Sequence, residues 1–109
     1  ALVSLGATVI VLDDLSNSTL EHLAGQVELE PERVRFTQGS VLDDDALIEA
    51  ADGVSVIFHL AALGSVPRSI DYPQRAWSVN ATGTIRVLEA ARTVRAQRIV
   101  LASSSSVYG

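Results

Sequence analysis

Four short apolar runs recur along this chain, and helical signals occupy the stretches between them. The runs predict strands over Thr8–Leu12, Arg33–Thr37, Ser55–Ala61 and Arg98–Ala102. Helices are predicted over residues 18–25, 43–51 and 73–94, and the first residues resemble a helix end capped by Gly6. Strands that alternate with helices in this way predict an α/β fold built on a parallel sheet with right-handed crossovers.

Local signals place the helix boundaries. Ser18 and Glu21 have capping-box spacing, and Gly25 marks the end of that first helix. The run Asp43–Asp45 predicts the start of the second helix, where the helix dipole favours acidic side chains; three consecutive carboxylates do not converge on one metal. We expect Trp77, in the third helix, to lie in the core. The apolar residues of that helix recur at helical spacing: Trp77, Ala81, Ile85, Leu88 and Ala91.

Composition restricts the class of protein. The 109 residues carry a net charge of −5, which argues against a nucleic-acid surface. No apolar run approaches the roughly 20 residues that a membrane span needs, so no membrane partner is expected. The absence of cysteine excludes thiolate metal sites and fits a cytoplasmic protein. All eight basic residues are arginine, so lysine-dependent chemistry is incomplete within this sequence.

Three of the apolar runs end in loops of polar or small residues. Thr8–Leu12 leads into Asp13, Val56–Ala62 leads into Gly64 and Ser65, and the last run leads into four serines from Ser103. Ligands of open α/β sheets bind outside the carboxyl ends of the strands. The sequence therefore predicts one site along one edge of the sheet.

Four segments resemble a known family when taken together: Val9–Asn17, His59–Ala62, Asn80–Thr84 and Ser103–Gly109. They are similar to the extended short-chain dehydrogenases/reductases, the NAD-dependent epimerases and dehydratases of nucleotide sugars. That resemblance implies a Rossmann-like, doubly wound parallel sheet and NAD as the cofactor. The loop over residues 62–69 resembles that of 4-epimerases acting on UDP-N-acetylhexosamines.

The chain departs from the family pattern in three places. The Gly-rich turn that precedes the acidic strand end is absent, and so is the Tyr-x-x-x-Lys pair. Ser40 follows Gly39 where the family often has Asp. We therefore expect residues 1–109 to be a partial NAD-binding domain with strands two to five, without a substrate domain and inactive alone. The missing central strand would leave a slot between Thr8–Leu12 and Ser55–Ala61, unless those strands pair directly.

The resemblance also implies a set of cofactor contacts. Asp13 would accept the adenosine ribose hydroxyls, which favours NAD over NADP; the alternative is a loop aspartate that caps a turn. Asn17 adds a polar contact or is merely a turn residue. Asn80, unfavourable inside a helix, contacts the cofactor or fixes the adjacent strand end. The other predicted cofactor contacts are Ser40, Val41, Leu60, Ala61, Ala62, Ala102 and Ser103.

Substrate and catalytic positions follow from the same resemblance. Gly64 and Ser65 would contact the sugar, and Arg68 either pairs with a phosphate or is solvated. Ser104 is the position that matches the catalytic Ser/Thr, where its hydroxyl would donate to the sugar O4; neighbouring serines are one-residue alternatives. His59 is expected to be a structural core residue.

The implied function is that of an NAD-dependent nucleotide-sugar 4-epimerase, which inverts C4 of a UDP-hexose or UDP-N-acetylhexosamine by hydride transfer to and from NAD. The alternatives are a nucleotide-sugar dehydratase or reductase of the same family, or an NAD-binding regulatory protein without the chemistry. The implied partner is a UDP-sugar, and residues 73–94 offer a face for a homodimer by analogy.

Overall fold

All four predicted strands are present, with boundaries shifted by at most two residues. A computed structural model describes the backbone of residues 1–109 and every side chain except that of Gln26. The strands are β1 (Val9–Asp13), β2 (Val34–Gln38), β3 (Val56–His59) and β4 (Arg98–Leu101). The helices are α1 (Glu21–Leu29), α2 (Asp44–Ala51), α3 (Val66–Asp71), α4 (Pro73–Trp77) and α5 (Gly83–Thr93).

The strands form two parallel pairs rather than one sheet. β1 pairs with β2 from Val9 opposite Val34 to Asp13 opposite Gln38. β3 pairs with β4, and His59 lies opposite Leu101 at the carboxyl end. β1 and β3 belong to different sheets and lie farther apart than neighbouring strands do. Direct pairing of these two strands, the alternative considered from the sequence, is therefore absent from the described backbone.

One helical layer joins the two sheets. The buried cluster combines Val41 from the loop after β2 and Leu47 of α2 with Val87 and Ala90 of α5. Leu12 from β1 and Ile57 from β3 both pack against this cluster. An ion pair of 2.6 Å between Arg86 Nη1 and Asp44 Oδ1 further connects α5 with α2. The two sheets thus share one core although no backbone ladder connects them.

Two glycines permit the close approach within this core. A Cβ atom on Gly39 would lie 2.9 Å from the Ala46 Cβ, and one on Gly83 would lie 2.7 Å from the Val41 Cγ2. Both distances are shorter than side-chain carbon atoms tolerate. The loop after β2 and the start of α5 therefore pack closely because these positions have no side chain.

The predicted boundaries of two N-terminal elements are wrong. α1 runs from Glu21 through Gly25 to Leu29, and Ser18 donates a hydrogen bond to Asp13 Oδ2 instead of capping the helix. The first residues form a single 3₁₀ turn over Val3–Leu5 rather than the end of an α-helix. The cap itself is confirmed, since Gly6 adopts φ +90° and its N–H donates to the Val3 carbonyl.

The second predicted helix is confirmed, and so is the reason for its acidic start. α2 begins at Asp44, and the carboxylate of its N-cap residue Asp43 accepts a hydrogen bond of 3.1 Å from the Ala46 N–H. Asp44 and Asp45 occupy the first turn, where the positive end of the helix dipole favours them.

The third predicted helix is interrupted, and Trp77 does not lie on its buried face. A π turn over Ser78–Thr82 separates α4 from α5, and a further short helix, α3, occupies part of the predicted loop. Trp77 is 70% exposed, so the prediction that it faces the core is wrong. α5 instead buries its smaller residues, Gly83, Val87, Ala90 and Ala91. None of the helices in the described residues has the length and apolarity that crossing a lipid bilayer requires.

Candidate functional site

Hydrogen bonds connect the carboxyl ends of neighbouring strands. The Gly39 N–H donates to the Asp13 carbonyl over 3.1 Å, which joins the ends of β1 and β2. The Ala102 N–H donates to the His59 carbonyl over 3.2 Å, which joins the ends of β3 and β4. The loops that follow each pair of strands therefore begin side by side.

A side-chain contact connects the two pairs. Arg68 Nη1 donates to Asn17 Oδ1 over 2.7 Å, although the two residues are 51 positions apart in the sequence. Asn17 lies in the loop after β1, and Arg68 lies in α3, which follows β3. The predicted cofactor loop and the predicted substrate loop thus lie at the same edge of the molecule.

Two consecutive Asx turns shape the loop after β1. Asp13 Oδ1 accepts the Leu15 N–H over 2.8 Å, and Asp14 Oδ1 accepts the Ser16 N–H over 2.9 Å. Leu15 adopts φ +59°, an uncommon conformation for a leucine, which these bonds stabilise. Hydrogen bonds from the Ser16 hydroxyl and N–H, with a smaller effect of the Arg75 guanidinium, hold the pKa of Asp14 below its usual value.

The Asp13 carboxylate retains acceptor capacity beyond the turn. Its Oδ1 accepts one backbone N–H, and its Oδ2 accepts the Ser18 hydroxyl over 3.3 Å. A carboxylate has about four acceptor positions, so each oxygen has a lone pair left for a ligand hydroxyl. The turn-capping role and a ribose-binding role are therefore compatible at this half-buried residue.

The loop after β3 is fixed by Asn80, which lies in the π turn. Asn80 Oδ1 accepts the Leu63 N–H over 2.7 Å, and Asn80 Nδ2 donates to the Leu63 carbonyl over 3.1 Å. Of the two predicted roles of this asparagine, the geometry supports the fixing of the strand end. Leu60, Ala61 and Ala62, which precede Leu63, are exposed along this edge.

The predicted substrate residues lie immediately before and at the cap of α3. Ser65 is the N-cap, and its Oγ accepts the Arg68 N–H over 3.4 Å. Gly64 precedes it, and a Cβ atom there would have open space around it. The sequence carried a signal for this helix, since a serine cap followed by Pro67 in the first turn is typical of a helix start.

His59 is buried and hydrogen-bonded, as expected for a structural residue. Its Nε2 lies 3.0 Å from Thr84 Oγ1, and the Thr84 hydroxyl lies 2.7 Å from the Asn80 carbonyl. Because the carbonyl can only accept, Thr84 donates its proton there and accepts one from His59, which assigns the proton of the neutral imidazole to Nε2. Burial lowers the pKa of His59.

The remaining predicted residues lie in the loops after β2 and β4. Ser40 Oγ accepts the Leu42 N–H over 3.1 Å, and the Val41 side chain belongs to the buried cluster. Ala102, Ser103 and Ser104 follow β4 and are exposed. Ser104 Oγ accepts the Ser106 N–H over 3.1 Å and keeps its own hydroxyl proton for donation.

This edge presents the groups that a dinucleotide requires. It combines a carboxylate with spare acceptor positions at one strand end, small exposed residues at the next, and free hydroxyls at the third. Cavities of about 370 and 450 Å³ lie elsewhere, against α1 and beside Trp77. Among the described residues the candidate site is therefore an open edge rather than an enclosed pocket.

Parallel strands with an acidic residue at one carboxyl end and small residues at the next define the class of α/β nucleotide-binding domains. Comparison with known proteins specifies the class: a model of the NAD dependent epimerase/dehydratase family matches residues 1–109, and the chain belongs to this family. NAD is the cofactor of the family, and the partial Rossmann-type fold agrees with its solved members.

Individual relatives support this assignment. The UDP-glucose 4-epimerase of Bacillus subtilis is 33% identical over 99% of this chain, which covers 32% of that protein. The structure resembles a UDP-glucose 4-epimerase from Stenotrophomonas maltophila, solved with NAD and formylated UDP-arabinopyranose, with a TM-score of 0.88 and 27% identity, covering 99% of this chain and 33% of that one. It also resembles a double mutant of a dTDP-glucose 4,6-dehydratase from Streptomyces venezuelae, solved with NAD, with a TM-score of 0.81. These two are 35% identical over 93% of this chain and 31% of the dehydratase. The chain thus spans about a third of the length of these relatives.

Sequence reasoning missed the contact between Asn17 and Arg68. The sequence predicts a separate role for each: Asn17 adds a polar contact near the adenosine or is a turn residue, and Arg68 binds a phosphate or is solvated. No local pattern connects two positions that lie 51 residues apart, so only the folded arrangement reveals the pair.

Proposed function

We propose that residues 1–109 form the NAD-binding part of a nucleotide-sugar 4-epimerase acting on a UDP-hexose or UDP-N-acetylhexosamine. The proposal rests on hydrogen bonds at one edge of the molecule, which join the strand ends in two pairs and the loop after β1 to α3. An arrangement of this kind lets one extended ligand contact every loop at once. We also infer a cytoplasmic enzyme, in keeping with a sequence without cysteine.

The chain's own residues would bind and orient the two ligands. Asp13 would accept the adenosine ribose hydroxyls with its remaining lone pairs, and Asn17 would add a polar contact. Backbone groups of Ser40 and Val41 would contact the adenine. The exposed small residues after β3 would allow close approach of the backbone to the cofactor, and Asn80 would hold that loop in place through Leu63. The remaining contacts would come from Ala102 and Ser103.

The serines would act on the sugar. NAD, when bound, supplies the hydride acceptor and donor that an inversion at C4 requires. Gly64 and Ser65 would contact the sugar from the loop after β3. Ser104 would donate its hydroxyl proton to O4 and so orient it, since its Oγ already accepts a backbone N–H and keeps that proton free.

The test uses the protein at its full natural length. We expect the purified protein to retain NAD and to convert UDP-glucose or UDP-N-acetylglucosamine to the 4-epimer, followed by proton NMR of the sugar. Asp13→Ala should lower NAD retention, because the ribose loses its acceptor. Ser104→Ala should lower turnover by roughly 10²-fold or more, the usual contribution of a positioned proton donor or acceptor.

Matched variants make these results interpretable. Ser105→Ala removes an exposed hydroxyl from the same loop and should leave turnover unchanged. Unchanged NAD content in Asp13→Ala would contradict the ribose assignment. Unchanged turnover in Ser104→Ala would contradict the O4 assignment.

A dehydratase is the second candidate, favoured by the 35% identity to the dTDP-glucose 4,6-dehydratase. The same NMR assay separates the two, because dehydration replaces the C6 hydroxymethyl signals with a methyl doublet. An acidic pair near the serines would favour dehydration, and residues 103–109 contain no acidic residue. Binding of NAD and UDP-sugar without any turnover would favour the regulatory protein instead.

A homodimer is part of the proposal. Trp77 and Ile85, exposed by 70% and 61%, lie with Leu88 on the surface of α4 and α5. Exposed apolar residues that recur along helices are typical of protein–protein contacts. The expected result is a dimeric mass by light scattering.

A further inference from the structure

We propose that Thr84 is a positioning residue for the cofactor, because its hydroxyl closes a ring of hydrogen bonds that fixes the loop after β3. The ring runs through His59, residues 60–63, Asn80 and Thr84. This inference deepens the proposed function, since it assumes that residues 60–62 contact NAD. Thr84 would act on NAD through its hydrogen-bonded neighbours rather than by touching the cofactor.

The first part of the ring connects the end of β3 to α5. His59 is the last residue of β3, and its Nε2 lies 3.0 Å from Thr84 Oγ1. Thr84 is the second residue of α5, and its hydroxyl donates to the Asn80 carbonyl over 2.7 Å. One hydroxyl therefore accepts a proton from the strand and donates one to the π turn, which fixes the distance between these two elements.

The second part of the ring returns from the π turn to the loop. The Asn80 amide bonds both the N–H and the carbonyl of Leu63, over 2.7 and 3.1 Å. From Leu63 the chain leads back through residues 60–62 to His59, where the ring closes. Both ends of this three-residue segment are thereby attached to the same part of the helical layer.

The three residues between these attachment points depend on them for their position. Leu60, Ala61 and Ala62 have apolar side chains without hydrogen-bonding groups, and all three are exposed. So short a backbone segment is restricted mainly by where its two ends are held. Loss of the Thr84 hydroxyl should therefore leave the segment less ordered and raise the entropic cost of fixing it against a cofactor.

The ring does not depend on which strand lies beside β3. Ile57 and His59 are on the same face of β3, and this face packs against α5. Strands pair along their edges, so a further strand next to β3 would leave the face toward α5 unchanged. All members of the ring lie within residues 59–84, and the proposal therefore applies to the protein at its full natural length.

The experiment measures NAD binding by titration calorimetry with the full-length protein, after removal of retained NAD. Thr84→Val removes the hydroxyl but keeps a branched side chain of similar shape. We expect its Kd for NAD to rise by roughly 2- to 12-fold, the equivalent of one hydrogen bond. Thr84→Ser restores a hydroxyl at this position and should recover the natural affinity.

Thr93→Val is the matched control for the valine substitution. The Thr93 hydroxyl donates to the Glu89 carbonyl over 2.9 Å, which is the same contact, four residues back, that Thr84 makes with Asn80. The Thr93 contact stays within α5. Both valine variants lose one helical side-chain bond of the same kind, but Thr93→Val should bind NAD with the natural affinity.

Two further measurements separate a positioning role from a general loss of stability. The nitrogen NMR shifts of the His59 imidazole should show the proton on Nε2 in the natural protein, in keeping with donation to Thr84. Asn80→Ala should weaken NAD binding by itself. Thr84→Val should add nothing to that loss in the double variant, because both residues act through the same loop.

Each other outcome overturns a definite statement. Equal NAD affinity in Thr84→Val and Thr93→Val would overturn the positioning role and leave the proposed function intact. Equal losses in Thr84→Val and Thr84→Ser would show that the hydroxyl is not the cause. A His59 proton on Nδ1, or additive losses in the double variant, would overturn the ring. Failure of the natural protein to bind NAD would overturn the proposed function as well.

Discussion

Asn80 supplies the loop after β3 with the hydrogen bonds that a neighbouring strand would otherwise provide. Its amide satisfies both the N–H and the carbonyl of Leu63, so this backbone remains ordered beyond the last ladder pair. The resemblance to the family identified Asn80, and asparagine is also mildly unfavourable inside a helix. It could not decide between a cofactor contact and a structural contact, since that choice depends on which loop lies opposite.

The buried imidazole of His59 makes stability depend on pH. Burial lowers the folded-state pKa below the ordinary 6.5, so the unfolded chain takes up a proton first as the pH falls. The free energy of unfolding is therefore expected to decrease as the pH falls below 6.5 toward the folded-state pKa. Chemical denaturation at a series of pH values, from about 7.5 to 5, measures this slope above the main carboxylate range.

Two histidine variants isolate the contribution. His59→Gln keeps a polar side chain near Thr84 without an imidazole and should remove this part of the slope. His22→Gln, which changes an exposed histidine on α1, is the control and should retain it. An identical slope in the natural protein and in His59→Gln would contradict the assignment.

At the scale of one element, α5 shows why a hydrophobic pattern alone did not identify the buried face. The sequence offers two apolar sets, one with Ile85 and Leu88 and another with Gly83, Val87 and Ala90. The structure buries the second, because small residues let the helix approach Val41 and the sheets closely. Periodicity predicts that a helix has an apolar face, but packing distance decides which face is buried.

Two glycine substitutions should therefore have opposite effects. Gly83→Ala would bring a methyl group to 2.7 Å from Val41 Cγ2, and overpacking of this kind costs about 1–3 kcal/mol. Gly25→Ala lies inside α1 with open space around the new methyl group, and should stabilise the helix by about 0.5–1 kcal/mol. Denaturant titration of both variants measures the difference. A Gly83→Ala protein as stable as Gly25→Ala would show that the core adapts to the added methyl group.

At the scale of the whole molecule, two parallel ladders are held together through helices and side chains. The sequence predicted the strand content and the parallel class, because strand runs and crossover rules depend on local pattern and chirality. The slot between β1 and β3 was expected from the resemblance to the family. The sequence could not predict the π turn or the Asn17–Arg68 contact. Those features depend on distant residues meeting, which no window of sequence describes.

The separate ladders predict marginal stability for residues 1–109 alone. The inner edges of β1 and β3 are not joined to each other by hydrogen bonds, and unpaired strand edges are costly when buried. We expect the isolated 109-residue polypeptide to give broad, poorly dispersed amide NMR spectra and a weakly cooperative melting curve. Sharp, dispersed amide signals with cooperative melting would refute this expectation.

The π turn over Ser78–Thr82 has a consequence for how this helical region tolerates insertions and deletions. A π turn holds about one residue more than an α turn, and each α-helical residue advances the direction of its side chain by about 100°. Deletion of one residue there would give a regular α-helix. With Asn80 held in place, Gly83 would then turn away from Val41. The extra residue thus lets one continuous helical segment contact two different regions. Asn80 contacts the backbone of Leu63, and Gly83 packs against Val41 in the interior; a regular helix would not point both positions in these directions.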